Sequence, residues 1–170
     1  PPWDQSCLIW VALVPWLLEL RRAEHKREAL KSGLWLGILM CLLGFTWVAT
    51  ALHQYGPLPW PVSIAGLLLF SLTGQPQFAF FALLWVTLKR QDAVRGRSLF
   101  DLRFAPALAL AYAGMDWFIP KLFTDTLGHS LYNAPLARQS ADAVGAFGLT
   151  ALILLTNLAI AGLIARLRDR

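Results

Sequence analysis

Basic residues divide this chain into compartments, and that division limits what it can fold into. Thirteen of the fifteen Lys and Arg fall in alternate gaps between five apolar stretches, at roughly 5–20, 32–55, 59–88, 104–119 and 141–165. The gap at 21–31 holds Arg21, Arg22, Lys26, Arg27 and Lys31. The gap at 89–103 holds Lys89, Arg90, Arg95, Arg97 and Arg103, and the tail carries Arg166, Arg168 and Arg170. The gaps between hold only Lys121 and Arg138. An apolar helix of about 20 residues spans a bilayer's hydrocarbon core, and Lys and Arg held to one side orient such helices. The expected fold is therefore all-α: a polytopic transmembrane helical bundle of about five membrane-crossing helices, forming one domain over residues 1–170. The basic loops and the C-terminus are expected in the cytoplasm, and the loops 53–61 and 120–140 on the other side.

Composition agrees. The chain is 57% apolar and 15% charged, against about 25% charged in soluble domains. Its net charge of +5 does not imply a nucleic-acid partner, because the cations sit at the ends of apolar segments, where membrane lipid headgroups are nearer. Eight Trp residues, among them Trp3, Trp35, Trp60 and Trp117, fall mostly near segment ends, as interfacial belts do. The chain opens on Pro1 without a Met and is expected to be part of a longer polypeptide. Cys7 and Cys41 read as small apolar residues at different depths, too far apart to pair.

Breaks within the stretches carry further expectations. Pro15 leaves a helix carbonyl without its usual donor, which neighbours or water must satisfy. Gly33, Gly37 and Gly44 line the second stretch, where small residues allow close helix approach. The third holds Gly74-Gln75-Pro76-Gln77 at its centre. A hairpin there would place five cations on the cation-free side, so one kinked crossing is expected.

Polar residues near membrane depth are the natural candidates for function, since they are costly unless paired or lining a cavity. Gln75 and Gln77 read first as interhelical hydrogen-bonding groups, as do Asn157, Thr150 and Thr156. Asp116 and the mixed loop 121–132 stand out on the cation-poor side. A nucleophile triad from Asp125, His129 and Ser130 is disfavoured, because no nucleophile elbow or oxyanion loop accompanies it. His53 and His129 lack a third metal ligand in a recognisable spacing.

Several strings, in order, resemble bacterial apolipoprotein N-acyltransferases. Trp10 to Leu20 is similar to that family's early "W-x-A-L-x-P-L-L" helix, and Gly33, Gly37, Gly44 and Trp47 through Tyr55-Gly56 to its next helix and "Y-G" turn. Asp116-Trp117 falls where the family commonly has Glu-Trp, and Gly128-His129-Ser130 where it has Gly-Tyr-Ser. Ala141 to Gly148, running into an apolar stretch, resembles the helix after that loop. Two departures stand out: Lys121 to Leu127 occupies the place of an aromatic "F-P-W" group, and Leu131 stands where Gln is common.

The resemblance implies part of a bacterial inner-membrane enzyme that needs no cofactor. Its acyl donor is a phospholipid, and its acceptor is the diacylglyceryl-cysteine at a lipoprotein's N-terminus. The family's chemistry runs through a Cys thioester, with Glu and Lys assisting, in a nitrilase-like domain that matches nothing in this chain. No catalytic residue carries over. The chain would be the scaffold that binds lipid substrates, with Tyr55, Asp116, Trp117, Lys121, Gly128, His129, Ser130 and Tyr132 as candidate substrate contacts. Lys121 or Arg138 is expected to meet a phospholipid phosphate. A small transporter or channel subunit, with a path along Asp116, Gln75 and Gln77, is the alternative, and a purely structural membrane anchor is a third reading.

Overall fold

A computed structural model describes residues 6–91, 100 and 104–169. Trp3, Arg95, Arg97, Arg103 and Arg170 lie outside the described residues. Among those described, every regular element is helical. In chain order these are α1 (Ile9–Ala12), α2 (Val14–Arg22), α3 (Lys26–Gly44), α4 (Thr46–Gln54), α5 (Trp60–Thr73), α6 (Gln77–Arg90), α7 (Ala105–Phe118) and α8 (Pro135–Arg168).

Two apolar rods are long enough to cross a membrane, Trp60–Arg90 with 31 residues and Pro135–Arg168 with 34. The pair α3 and α4 makes a third if its 52° bend lies within one span. The first stretch and the 14-residue α7 are shorter than a full span, so the lengths support two or three crossings where the charge pattern suggests five.

Each long stretch is broken at an identifiable point. The second, expected as one helix, bends at Phe45, which leaves helical geometry (φ −114°, ψ 23°). Its ring stacks on Phe123 from the loop after α7, and Phe70 of α5 packs edge-on against it. The third breaks between Thr73 and Gln77, where Pro76 has no N–H to donate. It continues instead of turning back, since Trp60–Arg90 forms one 31-residue rod with α3 against both its halves. At 1.5 Å per residue, 31 residues reach about 46 Å, half as long again as a ~30 Å hydrocarbon core. The last rod is interrupted at Gly145, whose φ of 69° and ψ of 175° suit only glycine.

The carbonyl that Pro15 cannot serve is Val11's, which accepts from the Leu13 N–H, and a side chain fills the break that this leaves in the ladder. Leu13 leaves the helix ladder, and the carboxamide of Asn157 on α8 enters the gap. Its Oδ1 accepts the Leu13 N–H at 2.9 Å, and its Nδ2 donates to the Ile9 carbonyl at 2.9 Å. These are the two groups a continuous helix would have joined. Asn157 thus pairs α8 to α1, as expected of a buried amide in an apolar bundle.

Helix packing follows residue size. On α3, a Cβ at Gly33 would lie 2.5 Å from the Phe78 carbonyl oxygen, and one at Gly37 2.6 Å from that of Gln75, so only glycine lets α3 approach α6 this closely. Gly44, the third of the set, faces open space. The core between α2, α6, α7 and α8 is built on Leu13, Leu17, Phe78, Phe81, Trp85, Tyr112, Leu154 and Leu158, all fully buried. Cys41 is buried, Cys7 exposed, and both are free thiols.

The described cations gather at one end. Lys89 at the close of α6 donates to the Arg21 and Ala23 carbonyls at 2.7 and 2.9 Å, capping α2, while Arg90 bonds the Glu24 carbonyl. Arg21 pairs with Asp169 beyond α8. There too, the backbone N–H groups of Glu24 and His25 donate to Glu28, holding its carboxyl below the usual range. The basic ends of α2, α6 and α8 therefore share one end of the bundle.

Candidate functional site

At the other end a polar network is built into an apolar frame. On α7 the buried positions Ala105, Leu108, Ala109, Tyr112 and Ala113 repeat at helical spacing, and Asp116 falls on the same stripe. Its side chain is therefore carried inward instead of reaching the interface, and Asp116 is 2% exposed. A buried carboxylate needs a partner, and the chain supplies one five residues later. Past the Ile119-Pro120 stop the backbone turns back, and Lys121 Nζ reaches Asp116 Oδ1 at 2.6 Å. Both side chains are almost wholly enclosed, at 3% and 0% exposure. The ammonium also donates to the Asp125 carbonyl, closing the loop on itself.

From Asp125 the network crosses to the break in the third rod. Gln75 Nε2 donates to both carboxylate oxygens of Asp125, at 3.0 and 3.1 Å. A carboxylate can only accept, so this fixes the orientation of the Gln75 amide. Its Oε1 then accepts from Gln77 Nε2. That leaves Gln77 Oε1 and the Tyr112 hydroxyl to face each other, and among the described residues Asp116 Oδ2 has no hydrogen-bond partner. Gln75 and Gln77 thus bond to each other, Gln75 to the loop, and Gln77 faces Tyr112 on α7.

Phe123 anchors the loop. Its ring sits among Phe45, Trp47 and Phe70, with centroids 5.2 to 5.7 Å away. Gly128 presses onto α8 so closely that a Cβ would lie 2.2 Å from the Ala146 oxygen, and its N–H donates to Thr150 Oγ1 at 3.0 Å. A one-turn helix over Leu127–Leu131 presents His129 and Ser130 on the exposed side.

A cleft of about 270 Å³ lies above this network. Its polar wall is Gln75, Gln77, Asp125 and Ser130, and its apolar wall includes Met40 and Phe78. A separate apolar groove of about 340 Å³ runs between α7 and α8 over Gly114, Trp117 and Phe147. The cleft itself is amphipathic, polar on one wall and apolar on the other.

Of the candidate contacts read from sequence, Asp116, Lys121, Gly128, His129 and Ser130 are brought to this end of the bundle. Trp117 faces outward from α7 against Phe147, with ring centroids 4.8 Å apart. Tyr132 is exposed beneath the Arg138 guanidinium, and Tyr55 is 86% exposed on the turn after α4. Lys121 is spoken for by Asp116 and Asp125, which leaves Arg138 as the exposed cation on this side. Phe123 carries no signal of its own in the sequence and Asp125 stands out only beside His129 and Ser130; the mixed polar and aromatic loop was the available sign. The triad residues each bond elsewhere: His129 Nδ1 accepts from the Thr126 N–H at 3.1 Å, Ser130 donates to the Leu127 carbonyl at 2.6 Å, and Asp125 faces Gln75. His53 is engaged in the α4–α5 turn, against the Leu58 carbonyl at 2.7 Å. No group of three or more His, Cys, Asp or Glu that could hold a metal occurs among the described residues.

Apolar rods of membrane-crossing length, with a buried ion pair and a cleft at one end, define a helical membrane domain. The chain belongs to the family of apolipoprotein N-acyltransferase N-terminal domains, whose sequence profile matches residues 1–159. It is 31% identical over 160 residues to the apolipoprotein N-acyltransferase of Bdellovibrio bacteriovorus, covering 92% of this chain and 27% of that protein. The corresponding protein of Geobacter metallireducens is 29% identical over 91% of this chain and 29% of its own length. A putative apolipoprotein N-acyltransferase of Bordetella parapertussis is 28% identical over 96% of this chain and 31% of its own. The chain thus spans less than a third of the length of these relatives. No solved structure is significantly similar to it.

Proposed function

We propose that this chain is the membrane-embedded part of an apolipoprotein N-acyltransferase, in which it holds lipid substrates at the end of the bundle that carries Asp116, Lys121 and Asp125. The parent enzyme would move an acyl chain from a phospholipid to the free α-amino group of a lipoprotein's diacylglyceryl-cysteine, through a Cys thioester in a separate domain. The family match along residues 1–159 supports the enzyme class. The observation that carries the substrate role is the amphipathic cleft, with Gln75 and Asp125 on one wall and Met40 and Phe78 on the other. A lipid substrate needs both kinds of surface at once. In this reading five segments cross the bacterial inner membrane, with the basic end cytoplasmic.

The test uses the whole parent polypeptide, produced in cells depleted of their own N-acyltransferase. Mass spectrometry of a reporter lipoprotein should show a triacylated N-terminus with the wild type, and diacylated material accumulating with Asp125→Ala or Gln75→Ala. Diacylated lipoprotein with the wild type would sink the enzyme assignment, whereas full activity in both variants would sink only the substrate role. Orientation is tested separately in a Cys7→Ser, Cys41→Ala background, by reaction of an impermeant maleimide with Gly56→Cys and Asn133→Cys in intact cells, and with Glu24→Cys only after permeabilisation, each read above the labelling of the background protein. The family assignment leaves no observation favouring the transporter reading.

A further inference from the structure

A second cavity, of about 520 Å³, opens at the basic end of the bundle, remote from the polar network. It lies between α2 and α3. Because the glycine face of α3 is turned onto α6, its opposite stripe, from Glu28 through Lys31 and Trp35 to Leu39, is left to line this cleft. The facing wall is Pro15, Trp16 and Glu19. Trp16 Nε1 donates to Ser32 Oγ at 3.0 Å and closes the floor. An adjoining cavity of about 250 Å³ extends past Glu19 and Glu28 to Arg22.

The lining is graded. Glu19, Glu28 and Lys31 lie toward the basic end, while Trp35, 64% exposed, and Leu39, 51% exposed, form the deeper apolar part. From Glu28 to Leu39 the stripe rises about 16 Å, close to half of a ~30 Å hydrocarbon core. The cleft is therefore as deep as one leaflet, charged at headgroup level and apolar toward the midplane. Among the described residues Glu19 and Lys31 have no hydrogen-bond or ion-pair partner, and Glu28 uses only Oε2, to cap α3. Two carboxylates and one ammonium set around a mouth of this kind complement a headgroup with both a cationic N–H donor and a phosphate.

We propose that this cleft binds a phospholipid of the leaflet at the basic end, with a primary-ammonium headgroup. The ammonium sits between Glu19 and Glu28, the phosphate meets Lys31, and an acyl chain lies along Trp35 and Leu39. A quaternary headgroup has no N–H for the carboxylates, and an anionic one brings no cation. The site stands at the opposite end from the proposed substrate cleft and does not depend on the acyl-transfer reading.

Native mass spectrometry of the whole parent polypeptide, in detergent with equimolar phosphatidylethanolamine, phosphatidylglycerol and phosphatidylcholine, tests it. One phosphatidylethanolamine should be retained with a preference of about ten-fold, the scale set by one or two headgroup-level charges. Glu19→Gln with Glu28→Gln should abolish that preference at unchanged melting temperature, because Gln at 28 still serves the capping box. Lys31→Gln should weaken all three lipids alike, and Leu39→Trp should empty the site. Equal retention of the three lipids by the wild type overturns the proposal. So does a preference that survives the double Gln variant, or absence of any retained lipid because another part of the polypeptide fills the cleft.

Discussion

Replacing Asn157 with Leu isolates the contribution of one side chain to the assembly of this bundle. Asn157 is fully buried, and its amide stands between the Leu13 N–H and the Ile9 carbonyl, each at 2.9 Å. Leucine keeps asparagine's branched outline but is bulkier, so it leaves no cavity, removes the hydrogen bonding and adds some crowding. Its third bond, from Nδ2 to the Ile153 carbonyl at 2.9 Å, is to a group already inside the α8 ladder and is the least missed. Leaving the part-buried Ile9 carbonyl unpaired costs about 1–3 kcal/mol, while the Leu13 N–H keeps its contact with the Val11 carbonyl. Polar pairs in helical membrane proteins average nearer 0.6 kcal/mol, because the separated helices also find partners. The expectation is therefore about 1–2 kcal/mol, or roughly 3–6 °C in melting temperature for a domain of this size. The assay is thermal unfolding of the purified protein in detergent, with Asn157→Ala beside Asn157→Leu. If lost hydrogen bonds dominate, the two fall together. Were Leu to match the wild type while Ala fell, the loss would be one of packing, and the amide's place in the helix break would carry no energy.

The Asp116–Lys121 pair predicts strong coupling. Asp116→Leu or Lys121→Met alone should cost about 3–5 kcal/mol by stranding a buried charge, while the double variant regains most of it; an additive cycle in thermal unfolding would contradict the pairing. Gly33→Ala should destabilise by about 1–3 kcal/mol through its clash with the Phe78 backbone, whereas Gly44→Ala, facing open space, should be tolerated; equal melting temperatures would refute the α3–α6 contact. Gly145→Ala meets no neighbouring atom, so its expected loss of about 1–3 kcal/mol is purely backbone strain. Spin labels at positions 138 and 152 should then show a changed separation if α8 straightens to escape that strain.

The alternation of cations with apolar stretches determined the class of this protein, the set of ends that meet, and the one kinked rod through Gly74–Gln77. These follow from local chemistry, since charge and hydropathy act on each segment wherever its neighbours lie. The glycines of α3 were legible for the same reason, yet only packing separated Gly33, which touches α6, and Gly37, which touches Gln75 just before it, from Gly44, which faces open space. Asp116 was visible as an unusual carboxylate, but its direction depended on which stripe of α7 faced inward, and its partner on how the chain turned after Pro120. The carboxamide of Asn157 was read as a link between helices; that it would fill the break before Pro15, some 144 residues away in sequence, required α8 to lie beside α1. Lys121 stood with Arg138 as a cation on the cation-poor side, and only the fold shows it paired with Asp116. A side chain's type sets what it can bond, whereas the partner it finds is fixed by residues distant in sequence and adjacent in space.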